Sequence, residues 1–338
     1  MPAPRALLLG RLERHYLIPA QGQPLIDEPG GNLLYAAAGL SLWQPESTSP
    51  GLLARVGRDF PSEWLHRFEE LGFDITGIRI LDEDHDLRSF IAYTDVNTAA
   101  YDQPIPHFAR LGLPLPKSLL GYERPPYALD SLKQRGPLSL REGNLPSAYA
   151  GARHAHLCPL DYFSHILMPP ILRTAGVEVM TLETSSAYMH PSFWNEISKL
   201  VSGLHTLHTT EKRLRTLFSG RSEDLWEMAE RIAAMNCGAV LIRRDARGQF
   251  LYDARTGTRY HIPPYPSQPR DRTHEGSAFC GGYLASLLRE DDPLRAALHG
   301  SVTASLAAEG SGAFYVMDSY VGLAASRLEA LSRAVQVL

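Results

Sequence analysis

The sequence predicts an α/β protein in which a mostly parallel sheet lies between two layers of helices. Two observations carry this reading. Short apolar runs of strand length alternate with amphipathic runs of helix length, and the chain has 338 residues, enough to bury one large core or two smaller ones. Strands separated by helices need crossover connections, which make neighbouring strands parallel and put helices on both faces.

The elements follow in order. Residues 6–10 form a buried strand. Gly30-Gly31-Asn32 then leads into the apolar, helix-forming run 33–40, so a loop runs into a helix N-terminus, where free backbone N–H groups face outward. Residues 52–56 are the next strand. Residues 61–72 are a helix with Pro61 in the first turn, Trp64, Leu65, Phe68 and Leu71 on one face, and Gly72 as the stop. Residues 78–81 and 87–94 alternate like a hairpin around Asp82-Glu83-Asp84. Residues 101–147 break the pattern: Pro104, Pro106, Pro114, Pro116, Pro125, Pro126, Pro137 and Pro146 mark a long surface excursion with one or two short helices.

Regular alternation then returns. Strands are expected at 154–158, 177–182 and 203–208, and helices at 163–175 and 193–200. Residues 223–235 form a helix closed by Gly238, burying Leu225, Met228, Ile232 and Met235. Strands at 239–242 and 250–253 are joined by the turn Asp245-Ala246-Arg247-Gly248, and a helix over 278–289 opens at Gly276-Ser277.

Composition narrows the function. Lys and Arg total 33 against 37 Asp and Glu, a net charge of -4, which argues against nucleic acid or an anionic membrane as partner. Three cysteines without framework spacing argue against a disulfide scaffold. The apolar run at 6–9 is too short for a signal-peptide core or a membrane span, so a reducing cytoplasm is expected. No G-x-x-x-x-G-K-[ST] or G-x-G-x-x-G occurs, which excludes Walker-type and Rossmann readings. His154, His156 and Cys158 alternate on one strand face as metal ligands do, but a strand entering the Pro159 turn accounts for them more simply. His205 and His208 straddle a strand-to-loop transition, and the acids at 82–86 lack the spacing and glycine of a calcium loop.

The most informative stretch is Asp271-Arg272-Thr273-His274-Glu275-Gly276-Ser277-Ala278-Phe279-Cys280-Gly281-Gly282. It resembles the signature of the pfkB/ribokinase family of sugar and nucleoside kinases, D-T-x-G-A-G-D-A-F-x-G-G. Further segments are similar in order and spacing from about residue 6 to 325. Gly30-Gly31-Asn32 resembles the N-terminal sugar signature, Val56-Gly57-Arg58-Asp59 the V-G-x-D segment, and His208-Thr209-Thr210-Glu211 the N-x-x-E motif. Asp245 to Gly248 resembles the turn near the nucleotide, and Ser301 to Ser305 the opening of the helix beside adenine.

The resemblance implies a single ribokinase-like domain over residues 1–338, with a β-lid formed by 12–24 plus 77–95. It implies ATP and Mg²⁺ as cofactors, a sugar or nucleoside as acceptor, and a homodimer through the lid. On this pattern Gly276 and its neighbours hold the phosphoryl group, and Glu211 organises the metal. His208, Arg243, Gly248, Glu275 and Thr303 line the nucleotide side, while His15, Gly30, Gly31, Asn32 and Tyr35 face the acceptor.

Departures fall in both pockets. Ser277 stands where the family has its catalytic Asp, and His274-Glu275 where it has Gly-Ala. His15 replaces the acceptor-binding Asp, Tyr35 and His208 each replace an Asn, and Asp245 replaces a Gly. A hydroxyl has no useful basicity without a base of its own. His274 and Asp271 are the candidate substitutes. A phosphotransferase with an unusual base and a catalytically inactive pseudokinase that binds nucleotide or sugar are both compatible with this sequence.

Overall fold

The computed structural model describes residues 4–43 and 49–338. The first third holds β1 (Ala6–Leu9), β2 (Glu13–Ile18), β3 (Leu25–Gly30), α1 (Asn32–Ser41), β4 (Gly51–Val56), α2 (Ser62–Glu70), β5 (Asp74–Ile80), β6 (Arg88–Asp95), β7 (Thr98–Ala100) and α3 (Pro104–Arg110). Then come β8 (His154–Leu157), α4 (Tyr162–Thr174), β9 (Val179–Glu183), α5 (Ile197–Val201), β10 (Leu204–Thr210), α6 (Glu211–Leu217), α7 (Leu225–Ala233) and β11 (Cys237–Arg243). The chain closes with β12 (Gln249–Asp253), β13 (Thr258–Ile262), α8 (Glu275–Leu287), α9 (Pro293–Ala307), α10 (Val321–Ser332) and β14 (Gln336–Val337).

The large sheet runs β14-β13-β12-β11-β10-β9-β8-β1-β4-β5. From β11 to β5 the strands are parallel, and β12, β13 and β14 add an antiparallel edge. The period-2 geometry of a strand sorts the core. Ala6 and Leu8 of β1 join the cluster built on α1, α8 and α9, while Leu7 and Leu9 join the opposite cluster built on α4, α6 and α7. Both faces of the sheet are therefore covered, as a parallel sheet requires, and the fold is the ribokinase-like three-layer α/β arrangement.

Glycines let α1 approach α8. A methyl group on Gly281 of α8 would overlap the Ala36 carbonyl oxygen of α1, and one on Gly39 of α1 would overlap the Ala278 carbonyl of α8. Backbone atoms cannot swing aside as a flexible side chain can. Gly281→Ala is therefore expected to lower the unfolding free energy by about 1–3 kcal/mol despite its better helix propensity. Gly322→Ala, in α10 with open space around the new methyl, is expected to raise it by about 0.5–1 kcal/mol. Urea denaturation of the two variants beside the parent checks both signs.

Four expectations are corrected. Residues 78–81 and 87–94 do not pair as a hairpin: β5 lies beside β4 at the edge of the large sheet, and β6 lies in a second, four-stranded sheet ordered β3-β2-β6-β7. Of the segments expected to form the lid, 13–18 and 88–95 are in that small sheet, 77–80 are not, and residues 25–30 are the partner that was missed. Residues 193–200 are not one helix: their first half belongs to a 3₁₀ turn (Pro191–Glu196) and their second half to the short α5. Ser301 to Ser305 lie inside α9, which opens at Pro293 with the Asp292 side chain capping Leu294 and Arg295.

The excursion at 101–147 is anchored. Phe108 and Leu119 are buried with Tyr16, Ile18 and Phe90 against the small sheet. Among the described residues, no helix is long and apolar enough to cross a membrane.

Candidate active site

The C-terminal ends of β8, β9, β10 and β11 lie side by side, and this is the edge where open parallel sheets hold ligands. β9 ends in Glu183 and β11 in Arg243, and their side chains form an ion pair. The Glu183 side chain is only 4% exposed. Arg213 of α6 reaches the same Oε1 atom at 3.4 Å. Burial alone would raise the Glu183 carboxyl, but Arg243, Arg213 and His156 outweigh it and hold it below the usual carboxylate value. Its Oε2 atom faces α8, 3.5 Å from Ser277 Oγ and 3.8 Å from Cys280 Sγ.

The α8 N-terminus is already occupied by protein charge. The Arg243 guanidinium lies so close to Gly276 that any Cβ there would overlap it. The positive end of the helix dipole and the free N–H groups, an ordinary anion site, thus share their space with a cation. Glu275, the first residue of the helix, lies 3.3 Å from Arg272. Its carboxyl is raised by burial, which Arg272 and Arg243 only partly oppose.

On the acceptor side the rings of His15, Tyr35 and His274 gather. His15 stacks on His274 at 5.5 Å between centroids, and Tyr35 lies 5.1 Å from His274. Gly30 leaves room for the His15 ring, since a Cβ there would collide with it. Gly31 takes a φ of 97°, a conformation suited to glycine, and its N–H donates to His15 Nε2 at 3.1 Å. Glu13 Oε2 lies 3.2 Å from His15 Nε2 and 3.7 Å from His274 Nε2. Burial would raise the Glu13 carboxyl, but the two histidines hold it well below its usual value. Asn32 is a strut: its Oδ1 accepts from Arg11 N at 2.8 Å and its Nδ2 donates to Pro159 O at 2.8 Å. Asp271 is buried and accepts from Thr273 N at 2.7 Å, which shapes the turn into α8. Beside these residues opens a cleft of about 710 Å³, walled by Glu13, Arg88, Tyr101 and Tyr122 and by Asp130 and Gln134 of the excursion.

The nucleotide side is narrower. A groove of about 150 Å³ is lined by Arg243, Gly248, Arg272, Glu275 and Ser301. Three residues expected there do other work. Thr303 is fully buried, accepts from Trp43 Nε1 at 2.7 Å and donates to His299 O at 2.8 Å. His208 is buried edge-on to Tyr283 with neither ring nitrogen hydrogen-bonded. Glu211, the expected metal ligand, pairs with Arg215 at 2.8 Å, Arg244 at 3.1 Å and Arg247 at 2.9 Å.

The family described as "pfkB family carbohydrate kinase" matches residues 168–319, the part of the chain that carries β9, β11 and the α8 corner. Over that part the chain is similar to the pfkB family. It is 23% identical to the cytidine kinase of Thermococcus kodakarensis over 266 residues, 77% of this chain and 81% of that protein. In three dimensions this chain resembles a protein described as ribokinase II from E. coli, solved with ATP and Mg²⁺, with a TM-score of 0.70 at 15% identity, covering 97% of this chain and 99% of that one. It likewise resembles a fructokinase from Xylella fastidiosa with bound ATP, with a TM-score of 0.69 at 17% identity over 97% and 99% of the two chains.

Within this candidate site, the structure brings Gly276, Ser277, Glu275 and Arg243 together on one side, and His15, Gly30, Gly31, Tyr35 and His274 together on the other. Sequence reasoning missed Glu183, Glu13, Arg213 and Arg272. Glu183 carried a usable signal, an acid closing an apolar strand at the ligand edge of a parallel sheet. Among the described residues, two groups of side chains could hold a metal ion: Glu13, His15 and His274, and, deeper, His156, Glu183 and Cys280.

Proposed function

We propose that this protein binds a nucleoside or sugar in the cleft beside the small sheet and does not transfer phosphoryl groups to it. The observation that carries this reading is the Glu183–Arg243 pair packed against Gly276 and Ser277. Phosphoryl transfer needs an unobstructed anion site, a metal and a base for the attacking hydroxyl. Here the guanidinium at the anion site is already paired with Glu183, three guanidiniums surround the expected metal ligand, and a hydroxyl stands at the base position.

The residues also fit Mg·ATP poorly. The groove of about 150 Å³ falls below the roughly 300–1,000 Å³ usual for small-molecule pockets. The Glu275 carboxylate would meet a γ-phosphate there. His274 is the candidate substitute base, but its Nε2 points to Glu13 and its ring is held in the stack with His15. The other cleft is different in kind. Its volume suits a nucleoside, its aromatic walls suit a base, and its carboxylates and amides suit ribose hydroxyls. Similarity to a cytidine kinase favours the nucleoside over a simple sugar.

The test is a calorimetric titration of the purified protein with Mg·ATP and with a panel of nucleosides and sugars, followed by an ADP-release assay on the same panel. Heat from a nucleoside at micromolar affinity, with no ADP above the protein-free rate, is the expected result. Acceptor-dependent ADP release would overturn the reading.

A further inference from the structure

We propose that His156, Glu183 and Cys280 form a buried site for a Zn²⁺-like divalent ion, set behind Ser277. One donor atom from each side chain lies within 4.8 Å of the other two, and all three residues are buried. They come from three elements, β8, the end of β9, and α8, so an ion between them would tie the sheet to the helix that opens at the family motif.

The donor set is mixed nitrogen, carboxylate and thiol. That combination suits zinc far better than magnesium or calcium, which take oxygen ligands. Zinc bonds of about 2.0–2.3 Å require donor spacings of about 3.3–3.8 Å, so the side chains need close by only about 1 Å. The surroundings already hold the ligands in place. His156 Nδ1 pairs with Thr181 Oγ1 at 2.8 Å, which fixes the ring. Glu183 gives Oε1 to Arg243 and Arg213 and leaves Oε2 facing Cys280 and Ser277. Hydrogen bonds of this kind to the far side of a ligand are what orient ligands at protein metal sites.

A second, independent observation points the same way. Buried polar atoms without partners cost about 1–3 kcal/mol each and are rare. His156 Nε2, both nitrogens of the adjoining His208, and Arg243 Nε are such atoms, and they crowd this one region. An ion with its remaining ligand would satisfy part of that deficit. On binding, Cys280 gives up its proton to solvent and binds as thiolate, while Glu183 binds through Oε2 and keeps Oε1 on Arg243. The fourth position faces Ser277 Oγ or a water. Cys158 is buried next door, with its Sγ 3.8 Å from Asn32 O. Of the sequence face His154, His156 and Cys158, only His156 enters the site, and the fold supplies Glu183 and Cys280 from distant parts of the chain.

The experiment strips the full-length protein with a chelator and adds back Zn²⁺ or Co²⁺ alone. One equivalent of Zn²⁺ bound per chain, and a thiolate-to-metal charge-transfer band with Co²⁺, is the expected result. Cys280→Ser should abolish the band while Cys237→Ser keeps it. If Cys280→Ser does not fold, X-ray absorption of the Zn²⁺-loaded parent decides, with one sulfur and mixed nitrogen and oxygen neighbours expected. Failure of the folded parent to bind either ion overturns the site, and so does binding without a sulfur ligand, which would place the metal at Glu13, His15 and His274 instead. None of these readouts depends on nucleoside binding or on ADP release.

Discussion

Arg243→Met is expected to lower the unfolding free energy by about 3–5 kcal/mol, the range seen when one member of a buried ion pair is removed. The reason is the carboxylate left behind. Glu183 is buried at the end of β9, and its remaining cation, Arg213, approaches one oxygen at 3.4 Å. Methionine fills the space of the aliphatic stem but offers no charge, so Glu183 must stay ionised at a cost or take up a proton. The pH dependence identifies this cause. In the parent the Glu183 carboxyl is depressed by Arg243 and Arg213 against the upward push of burial, so its contribution is present above the unfolded carboxyl value of about 4.3 and is lost as pH falls through the depressed folded value. In Arg243→Met the folded value is raised instead. The penalty then grows as pH rises through about 4.3, and the two proteins converge in acid. Urea denaturation at several pH values checks this. The double variant Arg243→Met with Glu183→Gln should recover most of the loss, because a neutral pair carries no uncompensated charge. Equal losses at acidic and neutral pH would assign the effect to packing instead.

That pair also marks how far the sequence could be read. The parallel, two-faced sheet was legible because its strands are continuous apolar runs, and α8 because its Gly-Gly pair answers a need of the whole fold, close approach to α1 at Gly281 and to α9 at Gly282. The hairpin at 78–94 was misread for a physical reason. β5 is an edge strand with only Gly77 buried, whereas β6 buries residues 90–93 on both faces of the small sheet, and that difference arises from tertiary pairing rather than from the local alternation. Thr303 misled for another: inside a helix its hydroxyl can satisfy itself on the carbonyl four residues back, His299 O, so a small polar residue there does not need a ligand. The acids were hardest. Glu13 and Glu183 become special only through His15, His274, Arg243 and Arg213, which converge on them from other elements, and no spacing along the chain records that convergence.

Restoring the family's acid at position 277 is expected to destabilise this protein without making it a kinase. If a missing base were the whole defect, Ser277→Asp together with Glu275→Ala should gain ADP release, since a proton acceptor is typically worth about 10²–10⁴-fold in rate. The geometry points the other way. Ser277 Oγ lies 3.5 Å from Glu183 Oε2, so an aspartate there sets a second buried carboxylate against the first. Two carboxylates sharing a site cannot both ionise freely, and one of them titrates upward. A raised folded value contributes stability below the unfolded carboxyl value of about 3.9 and loses it as pH rises toward the folded value. A two-unit rise corresponds to about 2.7 kcal/mol lost at neutral pH. Ser277→Asp should therefore unfold more easily than the parent at pH 7 and match it near pH 4. Adding Glu183→Gln should remove the repulsion and most of the pH dependence. An ADP assay on all three proteins completes the comparison. Release from Ser277→Asp with undiminished stability would mean that Arg243 shares its charge between two carboxylates, and that the anion site is open after all.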